Sequence, residues 1–356
     1  MRGDSAAPQA GDFTYDVNAQ WEQLPAGIAH RDVSAVGTDS QDRVYLLTRF
    51  DSNVLVYERD GTFLTAWGGE QFTNPHGLTV GPDDSVWTVD NGDHSVRKFS
   101  PEGKLLMTLG RPGEPADTGH RQGGGFIVHN VETVTHAGPP FNGCTNLAIN
   151  SAGRVYVADG YGNCRVHVFA PDGALITSWG SVGIGAGEFH LPHGIAVGPD
   201  DRVHVCDREN DRIQVFDPDG RYLTEWTDVQ RPCHIAIDRG GYSYVAELWR
   251  PKGKGSFTRG FMREDRPGRV TIFDRDGYIV ARWGASTVSR GAPGNFIAPH
   301  GIAVDSRGDL YVCEVTYTFG IKANGLDPGE VGGHQIQKFT RRGGRYSTER
   351  EGTDEA

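Results

Sequence analysis

The sequence predicts an all-β fold, a six-bladed β-propeller with four antiparallel strands to a blade. Three observations carry that expectation. The chain repeats itself at a period of about 40 residues, the signature of units that bury their apolar faces only by stacking on neighbours. Each repeat is punctuated by Asp-Gly, Glu-Gly or Pro-Asp-Asp turns between short apolar runs. Glycine makes up 50 of 356 residues, about twice its usual ~7% share, as a chain that turns this often requires.

The repeat is plainest between residues 75–110 (PHGLTVGPDDSVWTVDNGDHSVRKFSPEGKLLMTLG) and 192–226 (PHGIAVGPDDRVHVCDRENDRIQVFDPDGRYLTEW). Each holds an opening apolar strand, a Pro-Asp-Asp turn, a second strand, a polar turn, a third strand ending in Phe, an acidic-Gly turn and a fourth strand. Six such units lie at 33–68, 75–110, 145–180, 192–226, 232–284 and 299 to about 348, one blade each. The segment Phe13 to Trp21 (FTYDVNAQW) alternates like a strand; it, or else Arg345 to Thr348, is expected to be the outer strand of the last blade. The expected organisation is one propeller over residues 13–348, with flexible ends at 1–12 and 349–356.

A net charge of −11 without a basic cluster argues against nucleic acid or an anionic membrane as partner. No apolar run approaches the ~20 residues of a membrane span, and MRGDSAAPQAGDF lacks the hydrophobic core of a signal peptide. A soluble, cytoplasmic protein is therefore expected. Five cysteines without CxxC spacing indicate neither a disulfide framework nor a zinc ribbon; whether Cys144 and Cys164 meet within blade 3 stays open.

Pro-His-Gly occurs three times, at His76, His193 and His300, each time opening the first strand of a repeat. A repeat without this histidine separates each copy from the next, so a closed ring of six puts the three imidazoles on alternate blades, roughly 120° apart at one height on the axis. That is the geometry of a three-histidine metal site with an open fourth position. Aligned on strand two (Tyr45, Trp87, Tyr156, His204, Tyr244, Tyr311), the position eleven residues upstream holds Ser34, His76, Thr145, His193, Cys233 and His300. His234 falls one residue out of register and should point elsewhere; Cys233 is the in-register neighbour.

In a propeller the turn between strands two and three lies beside the start of strand one. Four residues past the aligned position stand Arg49, Asn91 and Arg208, and blade 3 offers Tyr161 in Asp-Gly-Tyr-Gly-Asn. Two arginines and a phenol should thus rim the histidine face. The long connections at 111–144, 249–268 and 316–334 emerge on that face too, and elaborating one face of a scaffold marks a binding surface. Asp90, Asp159 and Asp207, with Glu247 and Glu314 in the same register, read as structural turn residues. His120, His129 and His136 lack a metal-like register and read as solvated loop residues.

These residues carry a resemblance. The blades resemble NHL repeats, and the site resembles that of the peptidyl-α-hydroxyglycine α-amidating lyases across essentially the whole propeller. The matching segments are Asn-Pro-His-Gly-Leu at His76, Asp-Gly-Tyr-x-Asn-x-Arg-Val at Tyr161, Leu-Pro-His at His193, Asp-Arg-Glu-Asn-x-Arg-Ile-Gln at Arg208, and Pro-His at His300; Arg49 corresponds to an active-site arginine of that family. The resemblance implies a zinc lyase that cleaves the C–N bond of an N-acyl-α-hydroxyglycine, a carbinolamide, to an amide and glyoxylate. It implies Zn2+ held by His76, His193 and His300, Tyr161 as general base, and Arg49 and Arg208 orienting the carboxylate of a small-molecule or peptide-terminal substrate. The chain departs from the family at Gly301, where an aspartate helps bind a structural calcium, which argues against calcium here, and at Gly162, where secreted members have a cysteine, which suits a reducing compartment. Another three-histidine lyase or hydrolase, and a non-catalytic NHL propeller that binds a protein, are the alternative readings.

Overall fold

In a computed structural model of the chain, the described residues are 9–10, 13–49, 53–121, 131–284, 290–331 and 334–342. Six four-stranded antiparallel units follow one another with simple up-and-down order. Their first strands are Val33–Thr38, Pro75–Val80, Cys144–Ile149, Pro192–Val197, Pro232–Ile237 and Pro299–Val304, and each touches the first strand of the blades on either side, the sixth closing on the first. The protein is a six-bladed propeller, as the repeat predicts.

The ring is closed by the chain's own beginning. Phe13–Asn18 pairs antiparallel with Ile336–Arg342, in register Asn18 opposite Lys338, and so is the outer strand of blade 6. Gln9–Ala10 adds a short further strand on Phe13–Thr14. The alternative closing strand, Arg345 to Thr348, and the remaining residues of the two expected ends lie outside the described residues. Among the described residues, no helix is long and apolar enough to cross a membrane.

Packing follows from strand alternation. One face of each blade meets the next, and aromatic side chains from the outer strands fill the widening gap, as with Trp226 stacked on Phe273 and Trp179 against Phe216. Cys144 packs between blades 2 and 3 with Trp87 and Phe141, whereas Cys164 packs between blades 3 and 4 with Phe189 and Leu191. They sit on opposite faces of blade 3, and both thiols are free and buried.

The turn acids are structural. Asp90 accepts from the backbone N–H groups of Thr73 and Asn74, Asp159 from Asn142, Asp207 from His190, Glu247 from Gln230, and Glu314 from Ile297 and Ala298. Each carboxylate ties the end of its second strand to the segment leading into its first. In blades 2, 4 and 6 this ties the entry to Pro-His-Gly to the end of the second strand.

The two mouths of the channel differ. One is a cavity of about 720 Å³ ringed by the short first turns of all six blades. The other bears the long connections: the π-type helical segment Thr316–Ala323, the small hairpin Gly255–Ser256 with Gly260–Phe261, and the described part of 111–144.

Candidate metal centre

His76, His193 and His300 meet on the axis. Their ring centroids are 4.7, 4.8 and 4.9 Å apart, a nearly equilateral triangle with ring planes 69° to 86° to one another. One nitrogen from each lies within 4.8 Å of the other two, the cluster among the described residues able to hold a metal ion. All three are buried.

The blades between them orient the rings. His76 Nδ1 lies 2.7 Å from the carbonyl oxygen of Thr145, His193 Nδ1 2.7 Å from that of Cys233, and His300 Nδ1 2.7 Å from that of Ser34. Thr145, Cys233 and Ser34 are the positions that align with the histidines in blades 3, 5 and 1. A carbonyl only accepts, so each Nδ1 carries the proton and each Nε2 presents a lone pair to the axis. Burial, reinforced by Arg49 at His76 and by Arg208 at His193, holds these imidazoles well below the ordinary histidine pKa; at His300 burial is joined by His76. They are neutral at pH 7, the state a metal ligand needs.

The glycine of Pro-His-Gly has its reason here. A Cβ on Gly77 would lie 2.5 Å from Thr145 O, one on Gly194 2.7 Å from Cys233 O, and one on Gly301 2.6 Å from Cys313 Sγ with Ser34 O at 3.4 Å. Only a residue without a side chain lets the next blade come close enough for its carbonyl to reach the imidazole.

Of the residues expected at the rim, Tyr161 is brought against the histidines. Its hydroxyl lies 2.9 Å from His76 Nε2 and 3.2 Å from His193 Nε2. The following Gly162 is pressed on Asn142, whose Oδ1 would stand 2.4 Å from any Cβ there. Arg208 lies alongside, its guanidinium carbon 5.6 Å from the phenol ring centroid. It is 2% exposed, with Nε donating to Glu209 Oε1 at 3.0 Å and Nη2 buried without a partner. Arg49 pairs with Asp32 at 3.6 Å, and its Nε is likewise buried and unpartnered. Asp32 in turn accepts from the backbone of Tyr317 and Thr318, so the blade 6 insertion is anchored beside Arg49.

Other expectations sort differently. Asn91 accepts from Asn74 and lines a side cavity of about 250 Å³ with Tyr161, Asn142 and His120. His120, expected in solvent, thus faces this cavity, with Nε2 buried and unpartnered; His136 is half-exposed and His129 lies outside the described residues. His234 turns to blade 6, its Nδ1 meeting the backbone of Ile302. The charged run Arg208-Glu-Asn-Asp-Arg212 is open in sequence to an inter-blade salt bridge as well as to a role at the site, and the structure has such a network. Glu209 is held by Arg208, by Arg231 at 2.7 Å and by Arg250 at 3.1 Å, and Arg250 also reaches Asp211 at 2.8 Å. What the run does not reveal is the identity of its partners, Arg231 and Arg250, which come from another blade.

Comparison with known proteins agrees with this architecture. The NHL repeat model matches residues 72–99, 141–169 and 189–216, parts of blades 2, 3 and 4. The chain is 29% identical over 253 residues to the peptidylglycine alpha-amidating monooxygenase of Rattus norvegicus, covering 58% of this chain and 24% of that protein. It is 32% identical over 173 residues to peptidyl-alpha-hydroxyglycine alpha-amidating lyase 1 of Drosophila melanogaster, covering 45% and 28%. This is an NHL-repeat propeller related to the amidating lyases. It is also 30% identical over 207 residues to human NHL repeat-containing protein 3, covering 55% and 54%. The chain spans between a quarter and about half the length of these relatives. A gluconolactonase from Xanthomonas campestris shares the fold at a TM-score of 0.57 and 14% identity, covering 93% of this chain and 91% of that one.

Proposed function

We propose that this propeller is a zinc-dependent lyase that cleaves the C–N bond of an N-acyl-α-hydroxyglycine-type carbinolamide, releasing an amide and glyoxylate. The observation that carries the reading is the convergence of three neutral, backbone-oriented imidazoles with the Tyr161 hydroxyl, 2.9 and 3.2 Å from two of them. The relation in sequence to the amidating lyases supports the choice of substrate.

The donor set fits the metal. Three Nε2 lone pairs face one point, their Nδ1 protons committed to carbonyls, and three imidazoles with an open position suit zinc. Zinc bound by His76, His193 and His300 would supply Lewis-acid polarisation of the substrate hydroxyl. Tyr161 takes the hydroxyl proton as general base. The electron pair left on oxygen forms the aldehyde C=O as the bond from carbon to the amide nitrogen breaks, and Tyr161 returns the proton to that nitrogen, so the amide leaves neutral. Arg49 and Arg208 flank the site with planar guanidinium groups that each keep a buried N–H free, suited to orienting the glyoxylate carboxylate and balancing negative charge.

The test is metal content per chain, measured together with glyoxylate release from N-benzoyl-α-hydroxyglycine, on the wild type and on His193→Ala. The expected result is about one equivalent of metal and glyoxylate release, both lost in the variant. Metal without glyoxylate overturns the substrate and leaves another three-histidine metalloenzyme. Absence of metal from both proteins leaves an interaction scaffold.

A further inference from the structure

A cavity of about 240 Å³ opens beside the centre, between the insertions of blades 5 and 6. Its floor is Arg231, Arg250 and Glu209, and its walls include Phe257 and Phe319. It adjoins the surroundings of the centre: Glu209 touches Arg208, which lies beside Tyr161, and Arg231 is two residues from Cys233, whose carbonyl holds His193. The lyase reading does not yet use it.

Its chemistry is specific. Its floor arginines are committed to carboxylates: Glu209 accepts from Arg231 and Arg250, and Asp211 from Arg250, while Lys254 adds a cation to the lining. Against the cost of burial, Arg231, Arg250 and Arg208 hold the Glu209 carboxyl well below the usual range, so it stays ionised as their partner. What remains on offer is flat surface. Arg231 lies with its guanidinium carbon 5.3 Å from the Phe319 ring centroid. Phe257 stacks on His190 at 3.8 Å and 5°, yet 43% of its surface is exposed at the cavity. Guanidinium and aromatic faces together select a planar ring. The volume agrees with one such ring plus its linking atoms, since an apolar cavity of ~150 Å³ accommodates benzene.

Position adds a direction. Arg49 approaches the histidines from blade 1, whereas the floor of the cavity, Glu209, Arg231 and Arg250, comes from blades 4 and 5, with the blade 6 insertion as its other wall. A carbinolamide whose carboxylate is oriented by Arg49 and Arg208 and whose hydroxyl faces the histidines has its acyl arm free to extend towards the cavity.

We infer that this cavity is the acyl-group subsite, and that it selects carbinolamides of compact aromatic acids, with Phe257 as the specificity-determining residue at its mouth. The inference rests on the lyase reading for its substrate but not for its test. Binding of benzamide and of acetamide to the zinc-loaded protein is measured by calorimetry, for the wild type, Phe257→Ala and Phe257→Tyr. Glyoxylate release from N-benzoyl- and N-acetyl-α-hydroxyglycine is followed on the same samples. Wild type should bind benzamide at least ten-fold more tightly than acetamide, with a matching difference in KM. Phe257→Ala should remove roughly ten-fold of that preference with kcat little changed, and Phe257→Tyr should retain it. Benzamide binding that follows Phe257 without glyoxylate from either compound upholds the aromatic subsite and overturns the lyase reading. Glyoxylate from both compounds with equal KM, unaltered by Phe257→Ala, overturns the subsite and keeps the lyase.

Discussion

Blades 2, 4 and 6 and blades 1, 3 and 5 use the same repeat position for opposite purposes. In the first set the second residue of the inner strand is a histidine that places a ring nitrogen on the axis. In the second set it is Ser34, Thr145 or Cys233, and what each contributes is its backbone carbonyl, 2.7 Å from the neighbouring imidazole. Alternation therefore does more than space three ligands. It gives every ligand an adjacent blade free to supply the acceptor that fixes its tautomer and orientation. The difference also explains why side-chain identity is demanding in one set and loose in the other.

The sharpest way to probe this division is Tyr161→Phe, because blade 3 adds a reactive side chain to its supporting carbonyl. The ring packs as before and the three histidines are untouched, so metal content should stay at the wild-type level. Glyoxylate formation should fall by ~10² to 10⁴-fold, the usual contribution of a positioned proton-transfer group. Loss of metal in this variant would instead make the phenol a ligand and give blade 3 the role of an even-numbered blade.

Next in size is Gly194→Ala. The added Cβ would meet Cys233 O and His234 Cα, both at 2.7 Å, pushing apart the pair of blades whose contact orients His193. A weakening of metal affinity by about 10 to 100-fold is expected, as for other losses of the group that orients a ligand. Competition with a chelator of known affinity measures it. Unchanged affinity would mean that the carbonyl does not set the ring.

Histidine burial gives a pH signature that separates ligands from spectators. His204 and His234 are pushed down to about 4, in both cases chiefly by burial. The unfolded chain takes up protons at these positions near pH 6.5 while the folded chain does not, so the stability of the metal-free protein is intact above that pH. It should fall as the pH drops from 6.5 towards 4, by about 3 kcal/mol for each of the two residues. His76, His193 and His300, also lowered, act in the same sense. Urea midpoints of the apo-protein across this range should fall, and His234→Gln should flatten the slope without removing metal from the loaded protein.

The sequence made the propeller legible because hairpin turns and alternating apolar runs recur at every blade, and the three Pro-His-Gly copies fix their own register against Tyr45, Trp87 and the other strand-two residues. The supporting carbonyls were not legible, since a backbone acceptor leaves no mark on residue identity; only the glycines at 77, 194 and 301 record how closely it approaches. The partners of Glu209, Arg231 and Arg250, were hidden for another reason. Their network joins a second turn of blade 4 to the entry and the insertion of blade 5, and no period connects them. Cys144 and Cys164, close in sequence, lie on opposite faces of one sheet, a distinction that depends on strand parity and on the left-handed turn at Cys164.

The smallest expected effect is the most exacting for the comparison. Cys233 stands at the ligand position of blade 5, its thiol is buried, and it is the one odd-blade side chain there chemically able to bind zinc. Burial raises its pKa, with Arg208 and Arg231 opposing, so the protonated thiol is favoured. Its contribution to the site is the carbonyl to His193, which Cys233→Ala preserves. Metal stoichiometry and affinity should therefore be unchanged, and the cost confined to stability, about 1 kcal/mol for a small buried group. If metal were lost along with the thiol, blade 5 would be a fourth ligand blade, and the rule that alternate blades contribute side chain and backbone would fail at that one position.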